Sequence, residues 1–155
     1  MSGAPQKQPR ILLMIPRVIF ESWPIPTDFH RHLKRSLGTT LAQLAAAVPE
    51  FPCTMFDGNA TPISMPDYLD LLRGHEIIGV SVVSSAMALN CEITVRLIRQ
   101  VNPTAKIVLG GHHATFHHLE WLERGADVVV RREGEQSFRE VALALGHGES
   151  LEGIQ

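Results

Sequence analysis

Apolar residues fall along this chain in short continuous runs separated by amphipathic stretches. Ile11-Leu12-Leu13-Met14-Ile15 is apolar throughout, the pattern of a parallel strand covered on both faces, and Pro16 closes it. Leu37, Leu41, Leu44 and Val48 recur at helical spacing among alanines and stop at Pro49. Phe51 to Phe56 predicts a second strand ending at the turn Asp57-Gly58-Asn59, and Pro66 to Leu72 a short helix opened by proline and closed by Gly74. Ile77 to Val83 is a third apolar strand that runs into Ser84, Ser85 and Ala86. Met87, Cys91, Val95, Ile98 and Val101 then line one face of a helix, with Glu92, Arg96 and Arg99 on the other, until Pro103 ends it. That placement makes Cys91 a core residue. Ala105 to Leu109 predicts a fourth strand, Phe116 to Arg124 a helix closed by Gly125, and Asp127 to Arg131 a fifth strand. Phe138, Val141, Ala142 and Leu145 make a last helix ending at Gly146.

Five alternations of strand and helix argue an open parallel sheet wound on both faces, and right-handed crossovers leave few topologies for it. The expected class is α/β: a doubly wound, five-stranded parallel sheet of flavodoxin-like (Rossmann-like) order 2-1-3-4-5. Ligands of such sheets sit at the carboxyl ends of strands one and three, where the connections diverge. The loops after Pro16, at Ser84-Ser85 and at Gly110-Gly111 would therefore meet at one rim. Residues 1–9, polar with two prolines, read as a mobile terminus, and 10–147 as the domain. Between Pro16 and Ser36 no clean period appears; Phe20, Trp23 and Phe29 sit there among prolines and basic residues. That stretch reads equally as a ligand-facing loop or as a segment wrapping the sheet edge.

Composition narrows the class. The chain is 45% hydrophobic and 19% charged with a formal net charge of −2, so it lacks the positive field that a nucleic-acid partner requires. Cys53 and Cys91 stand far apart, which excludes a disulfide framework and multi-cysteine metal patterns and points to a reducing, cytoplasmic setting. No apolar run is long enough for a membrane span, and the start carries no secretory segment.

The expected rim carries backbone amides and small hydroxyls but hardly any acid–base machinery. Gly110-Gly111-His112-His113-Ala114-Thr115, following a strand and preceding a helix, bring bare backbone to a ligand. Ser81, Ser84, Ser85 and Thr115 are donors for amide or phosphate groups, and helices starting near Ser85 and Thr115 add free N–H groups. The serines read equally well as helix caps. His113 and His117, one turn apart, have a spacing able to bind zinc, nickel or cobalt, but no third ligand is evident, so no metal site is assigned. Glu135 at a helix start is explained by capping and dipole energetics, and no catalytic residue is assigned. A response regulator would need clustered aspartates at the ends of strands one and three, and a flavodoxin a hydroxyl-rich phosphate loop after strand one; Ile15-Pro16-Arg17 and Val83-Ser84-Ser85 provide neither.

Several segments, in order, resemble the cobalamin-binding domain found at the amino end of cobalamin-dependent radical SAM enzymes. Ile11 to Pro16 is similar to that family's opening strand, Ser36-Leu37-Gly38 to its Pro-Leu-Gly helix start, and Ile78-Gly79-Val80-Ser81 to its Val-Gly-Ile-Ser strand. Asn102-Pro103-Thr104-Ala105-Lys106-Ile107-Val108-Leu109-Gly110-Gly111 matches its Asn-Pro-x-Ala-x-Val-Val-Leu-Gly-Gly run, continued by His113-Ala114-Thr115. Asp127 to Arg131 followed by Glu133-Gly134-Glu135 is similar to its Val-Val-Arg-Gly-Glu-Gly-Glu signature. His112 replaces the family's usual proline, and Arg132 its usual glycine.

The resemblance implies a cobalamin across the carboxyl edge, its nucleotide tail inserted between the loops after strands three, four and five. The implied cofactor-binding residues are Pro16 and Arg17; Ser81, Val83, Ser84 and Ser85; Gly110, Gly111, His112, His113, Ala114 and Thr115; and Arg132, Glu133, Gly134 and Glu135. The Asp-x-His-x-x-Gly motif that supplies a cobalt-ligating histidine in other cobalamin modules is absent, so the resemblance implies a base-off corrin without that ligand. It further implies that S-adenosylmethionine and a [4Fe-4S] cluster belong to a radical SAM barrel in cis, toward which residues 148–155 begin a linker. The domain alone would then bind the cofactor module of a methylase or cyclase without catalysing. The alternatives are a stand-alone corrinoid or tetrapyrrole carrier or sensor and, further off, a flavin- or metal-binding flavodoxin-like protein.

Overall fold

The computed structural model describes residues 8–16, 39–152 and 154 of the chain. In chain order these form β1 (Ile11–Ile15), α1 (39–47), β2 (Cys53–Asp57), α2 (Met65–Arg73), β3 (Ile77–Ser81), α3 (Ser85–Val101), β4 (Lys106–Gly110), α4 (His112–Phe116), α5 (His118–Glu123), β5 (Val128–Val129) and α6 (Glu135–His147). The strands form one parallel sheet in the order β2-β1-β3-β4-β5, the flavodoxin-like order expected from the alternation of runs. The expected loop from Pro16 to Ser36, with Arg17, lies outside the described residues apart from Pro16, which is buried.

The central strands behave as their composition dictates. Every residue of β1 and β3 is buried, because helices cover the sheet on both sides. Full burial of each large aliphatic side chain there contributes about 1.5–3 kcal/mol. Arg139 of α6 donates to the Ala47 carbonyl at 2.7 Å and pairs with Glu50, joining α6 to the end of α1. Tyr68 and Thr94, 3.3 Å apart, join α2 to α3, and Glu92 and Arg124 join α3 to the end of α5.

Edges and turns depart from the expected bounds for local reasons. β2 begins at Cys53 because Pro52 has no N–H to donate, although its carbonyl still accepts from Ile11 at 2.8 Å. β5 is reduced to two residues: the Asp127 carboxylate, rather than a ladder partner, takes the Ile107 N–H at 2.7 Å. The helix expected from Phe116 to Arg124 starts earlier and is broken, with His117 at φ −113°, ψ 31° between α4 and α5. α6 runs past Gly146, which lies close under the Phe51 ring, and stops at Gly148 in the left-handed conformation at φ 69°.

Asn102 accounts for the Asn-Pro pair before β4. Its Nδ2 donates to the carbonyls of Leu72 and His75, each at 2.9 Å, tethering the end of α3 to the α2–β3 turn. Asn102→Ala leaves two half-buried carbonyls without this donor, and urea denaturation is expected to show a loss of about 1–3 kcal/mol.

Candidate functional site

The rim at the carboxyl edge is zipped together by main-chain contacts. Val82, just past β3, donates its N–H to Gly110 O at 2.8 Å and accepts from His113 N at 3.1 Å. Between those bonds Gly111 takes φ 104°, ψ 174°, a region essentially reserved for glycine, and a Cβ there would lie 2.8 Å from Val82 O. At neighbouring Gly110 a Cβ would meet no atom closer than Val130 O at 3.9 Å. The two glycines of the pair thus have different duties: one closes the loop, the other leaves room above it.

Thr115 ties in the next loop. Its hydroxyl donates to Gly111 O at 3.1 Å and accepts the Arg132 N–H at 3.0 Å. Expected as a donor to a ligand, Thr115 instead spends its hydroxyl holding two rim loops at a fixed spacing.

Beneath the rim a cleft of about 280 Å³ opens between the sheet and helices α1 and α6. Leu13, Gly79, Val80 and Leu109 contribute from the sheet, Leu41, Leu44 and Phe138 from the helices. Gly110, Gly111, Arg132, Glu133, Gly134 and Glu135 border it. Ser81, only 7% exposed, also lines it. A second, more open hollow adjoins it, lined by Gly111, His112, Thr115, Phe116, Arg132 and Glu133.

Other expected residues lie apart from both hollows. Pro16 and Ala114 are buried, Val83 is half-buried, and Ser84 and Ser85 are exposed at the start of α3. Ser84 stands at the N-cap position but makes no side-chain capping bond, so the capping reading does not apply to it. Sequence reasoning missed Thr40, Gln43 and Leu44 of α1, which reach the cleft only through packing. Gly79 inside a strand was the available signal, since an interior strand glycine marks a close approach; a Cβ there would sit 2.8 Å from the Leu13 side chain and 3.5 Å from Phe138.

His113 has a defined tautomer. The Trp121 indole N–H, which can only donate, lies 3.3 Å from His113 Nδ1, so Nδ1 carries the lone pair and Nε2 the proton. Ligation of a metal by Nε2 would require the opposite tautomer and set two N–H groups against each other. The His113 and His117 rings stack with centroids 4.3 Å apart and planes 16° from parallel rather than converging on a point, and His117 Nδ1 faces Glu120 at 3.3 Å. Among the described residues no three histidine, cysteine or carboxylate side chains gather as a metal site. Burial, then the charge of His117, pushes the His113 pKa below the ordinary imidazole value, with Glu120 opposing and Arg124 reinforcing. Burial pushes the Cys91 thiol up to about 12, which keeps it inert as a nucleophile. The described rim thus holds donors, a glycine floor and a largely apolar cleft.

A family model described as B12 binding domain matches residues 39–142. The chain is 32% identical over 155 aligned residues to an uncharacterized methyltransferase of Pyrococcus horikoshii, covering 94% of this chain and 31% of that protein. It is 33% identical over 75 residues to the anaerobic magnesium-protoporphyrin IX monomethyl ester cyclase of Rubrivivax gelatinosus, covering 47% of this chain and 13% of that one. The chain therefore spans less than a third of the length of either relative. A pilus assembly-related protein of Burkholderia pseudomallei shares the fold, with a TM-score of 0.53 at 13% identity over 96% of each chain. No helix among the described residues is long and apolar enough to cross a membrane.

Two outcomes check this geometry. Gly111→Ala is expected to destabilise the domain by at least about 1–3 kcal/mol, the cost of a non-glycine residue in that conformation, as read by chemical denaturation. In ¹⁵N-resolved spectra His113 is expected as the neutral Nε2–H form, titrating below free histidine. Because its folded pKa is depressed, its contribution to stability is present above the ordinary imidazole pKa and lost as pH falls from that value toward the depressed one.

Proposed function

The chain belongs to the B12 binding domain family, and on that premise we propose that the rim holds a base-off cobalamin as the cofactor module of a radical SAM methylase or cyclase. The observation that carries the base-off reading is the apolar cleft under the rim: an aromatic nucleotide base seated between the sheet and α1 and α6 is kept away from the metal. Family membership supports cobalamin binding itself. The methyltransferase and cyclase relatives, each more than three times as long as the matched region, support the wider enzyme context.

Each part of the rim has a task in this reading. Gly110 admits a broad ligand close to the backbone, Gly111 closes the loop beside it, and Ser81 offers its hydroxyl at the cleft. His113, locked by Trp121, offers Nε2–H as a donor and not as a cobalt ligand. Thr115 keeps the two loops apart by the width of the cleft mouth. When bound, a corrinoid supplies a cobalt centre able to carry a methyl group or an electron. S-adenosylmethionine and the cluster that cleaves it belong to another domain, because Cys53 and Cys91 cannot form a three-cysteine cluster site.

Titration with hydroxocobalamin, followed by gel filtration, is expected to give a retained corrin with a base-off absorption spectrum. The cob(II)alamin complex is expected to show no nitrogen superhyperfine splitting in electron paramagnetic resonance. Gly110→Ala, whose Cβ would meet no atom closer than 3.9 Å, is expected to leave thermal stability near wild type while weakening retention at least about tenfold, roughly 1.4 kcal/mol. No retention by the wild type, or a nitrogen-split spectrum, would sink the reading.

A further inference from the structure

We infer that Arg132 forms a phosphodiester subsite at the junction of the two hollows, an assignment that rests on the cobalamin reading and identifies which part of the ligand meets that residue. Arg132 is the one described non-glycine residue with a positive φ, at 63°. Left-handed backbone penalises any side chain bearing a Cβ, and glycine would adopt it without strain. The conformation is held from outside: the Arg132 N–H is fixed by Thr115 Oγ1 at 3.0 Å, and the ladder of the preceding strand ends with Val130 donating to Leu109 O at 2.8 Å. A strained position that the surrounding structure enforces, at the mouth of a cleft, signals a side chain retained for function.

The side chain is exposed and borders both hollows. Arg10, Arg73, Arg96, Arg99, Arg124 and Arg139 each hold a carboxylate; among the described arginines Arg131 and Arg132 do not, and of these two only Arg132 lines the hollows. Arg132 has no ion pair and no side-chain hydrogen bond among the described residues, although Glu133 and Glu135 line the same cleft. A free guanidinium presents a planar fork of donors that matches two phosphate oxygens. In a ligand whose base enters the inner cleft and whose ring system covers the outer hollow, the connecting phosphodiester passes the junction where Arg132 stands. Glu133 and Glu135 repel unattached anions, so the subsite favours a phosphodiester delivered by a ligand anchored on either side over inorganic phosphate.

The test compares two corrinoids on the same protein: cobalamin, and cobinamide, which lacks the nucleotide tail and its phosphodiester. Arg132→Gly is expected to raise the midpoint of thermal unfolding without ligand, because strain is relieved. It is expected to weaken cobalamin binding about tenfold, the scale of one charge-assisted hydrogen bond, and to leave cobinamide affinity unchanged. Arg132→Lys is expected to keep part of the cobalamin preference, and inorganic phosphate at millimolar concentration to compete weakly. An unchanged cobalamin affinity in Arg132→Gly, or an equal loss for both corrinoids, overturns the subsite while leaving the cobalamin reading in place. Failure of the wild type to bind either corrinoid overturns both.

Discussion

The rim depends on one close approach of backbone to backbone. Where the chain leaves β4, Gly111 passes so near Val82 that a single added carbon would lie 2.8 Å from a carbonyl oxygen. Only with that gap closed can Val82 bond to both Gly110 and His113, and only then does α4 begin at the position that aims Thr115 back at Gly111. One missing side chain therefore sets the path of the loop, the start of a helix and, through Thr115, the position of the loop after β5.

The same construction fixes the groups that the described rim presents. Its fixed donors are main-chain groups and hydroxyls, and its walls are apolar. The histidines that might have suggested chemistry are engaged with each other and with Trp121. Placing rigidity in the loops and openness in the cleft between α1, α6 and the sheet lets a large ligand dock without reorganising the core, which keeps the ordering cost of binding low.

Charge is distributed with the same economy. Most described arginines bind carboxylates and join neighbouring elements, as Arg139 does between α6 and Glu50 and Arg99 does between α3 and Asp127. At the cleft mouth the pattern changes: Arg132, beside two glutamates, has no ion pair among the described residues and sits on a backbone that glycine would fit better. The contrast separates residues that hold the fold from one that the fold holds in place.

Fully apolar runs such as Ile11–Ile15 determined buried parallel strands, their alternation with amphipathic helices left few strand orders, 2-1-3-4-5 among them, and Gly110-Gly111 marked the rim at the carboxyl edge. These features are local, because strand, helix and glycine turn follow from periodicity and from what a Cβ forbids. The inner cleft, the reach of Thr40 and Gln43 into it, the tautomer of His113 and the double duty of Thr115 were decided by tertiary structure. The cleft and the Thr115–Arg132 bond depend on groups far apart in the chain, and the His113 tautomer on the break between α4 and α5 across which Trp121 reaches it. Hydrophobic pattern states which face of an element is buried; how far apart two covered faces stand, and which hydrogen-bonding atoms meet across the gap, is decided only when the whole sheet has packed.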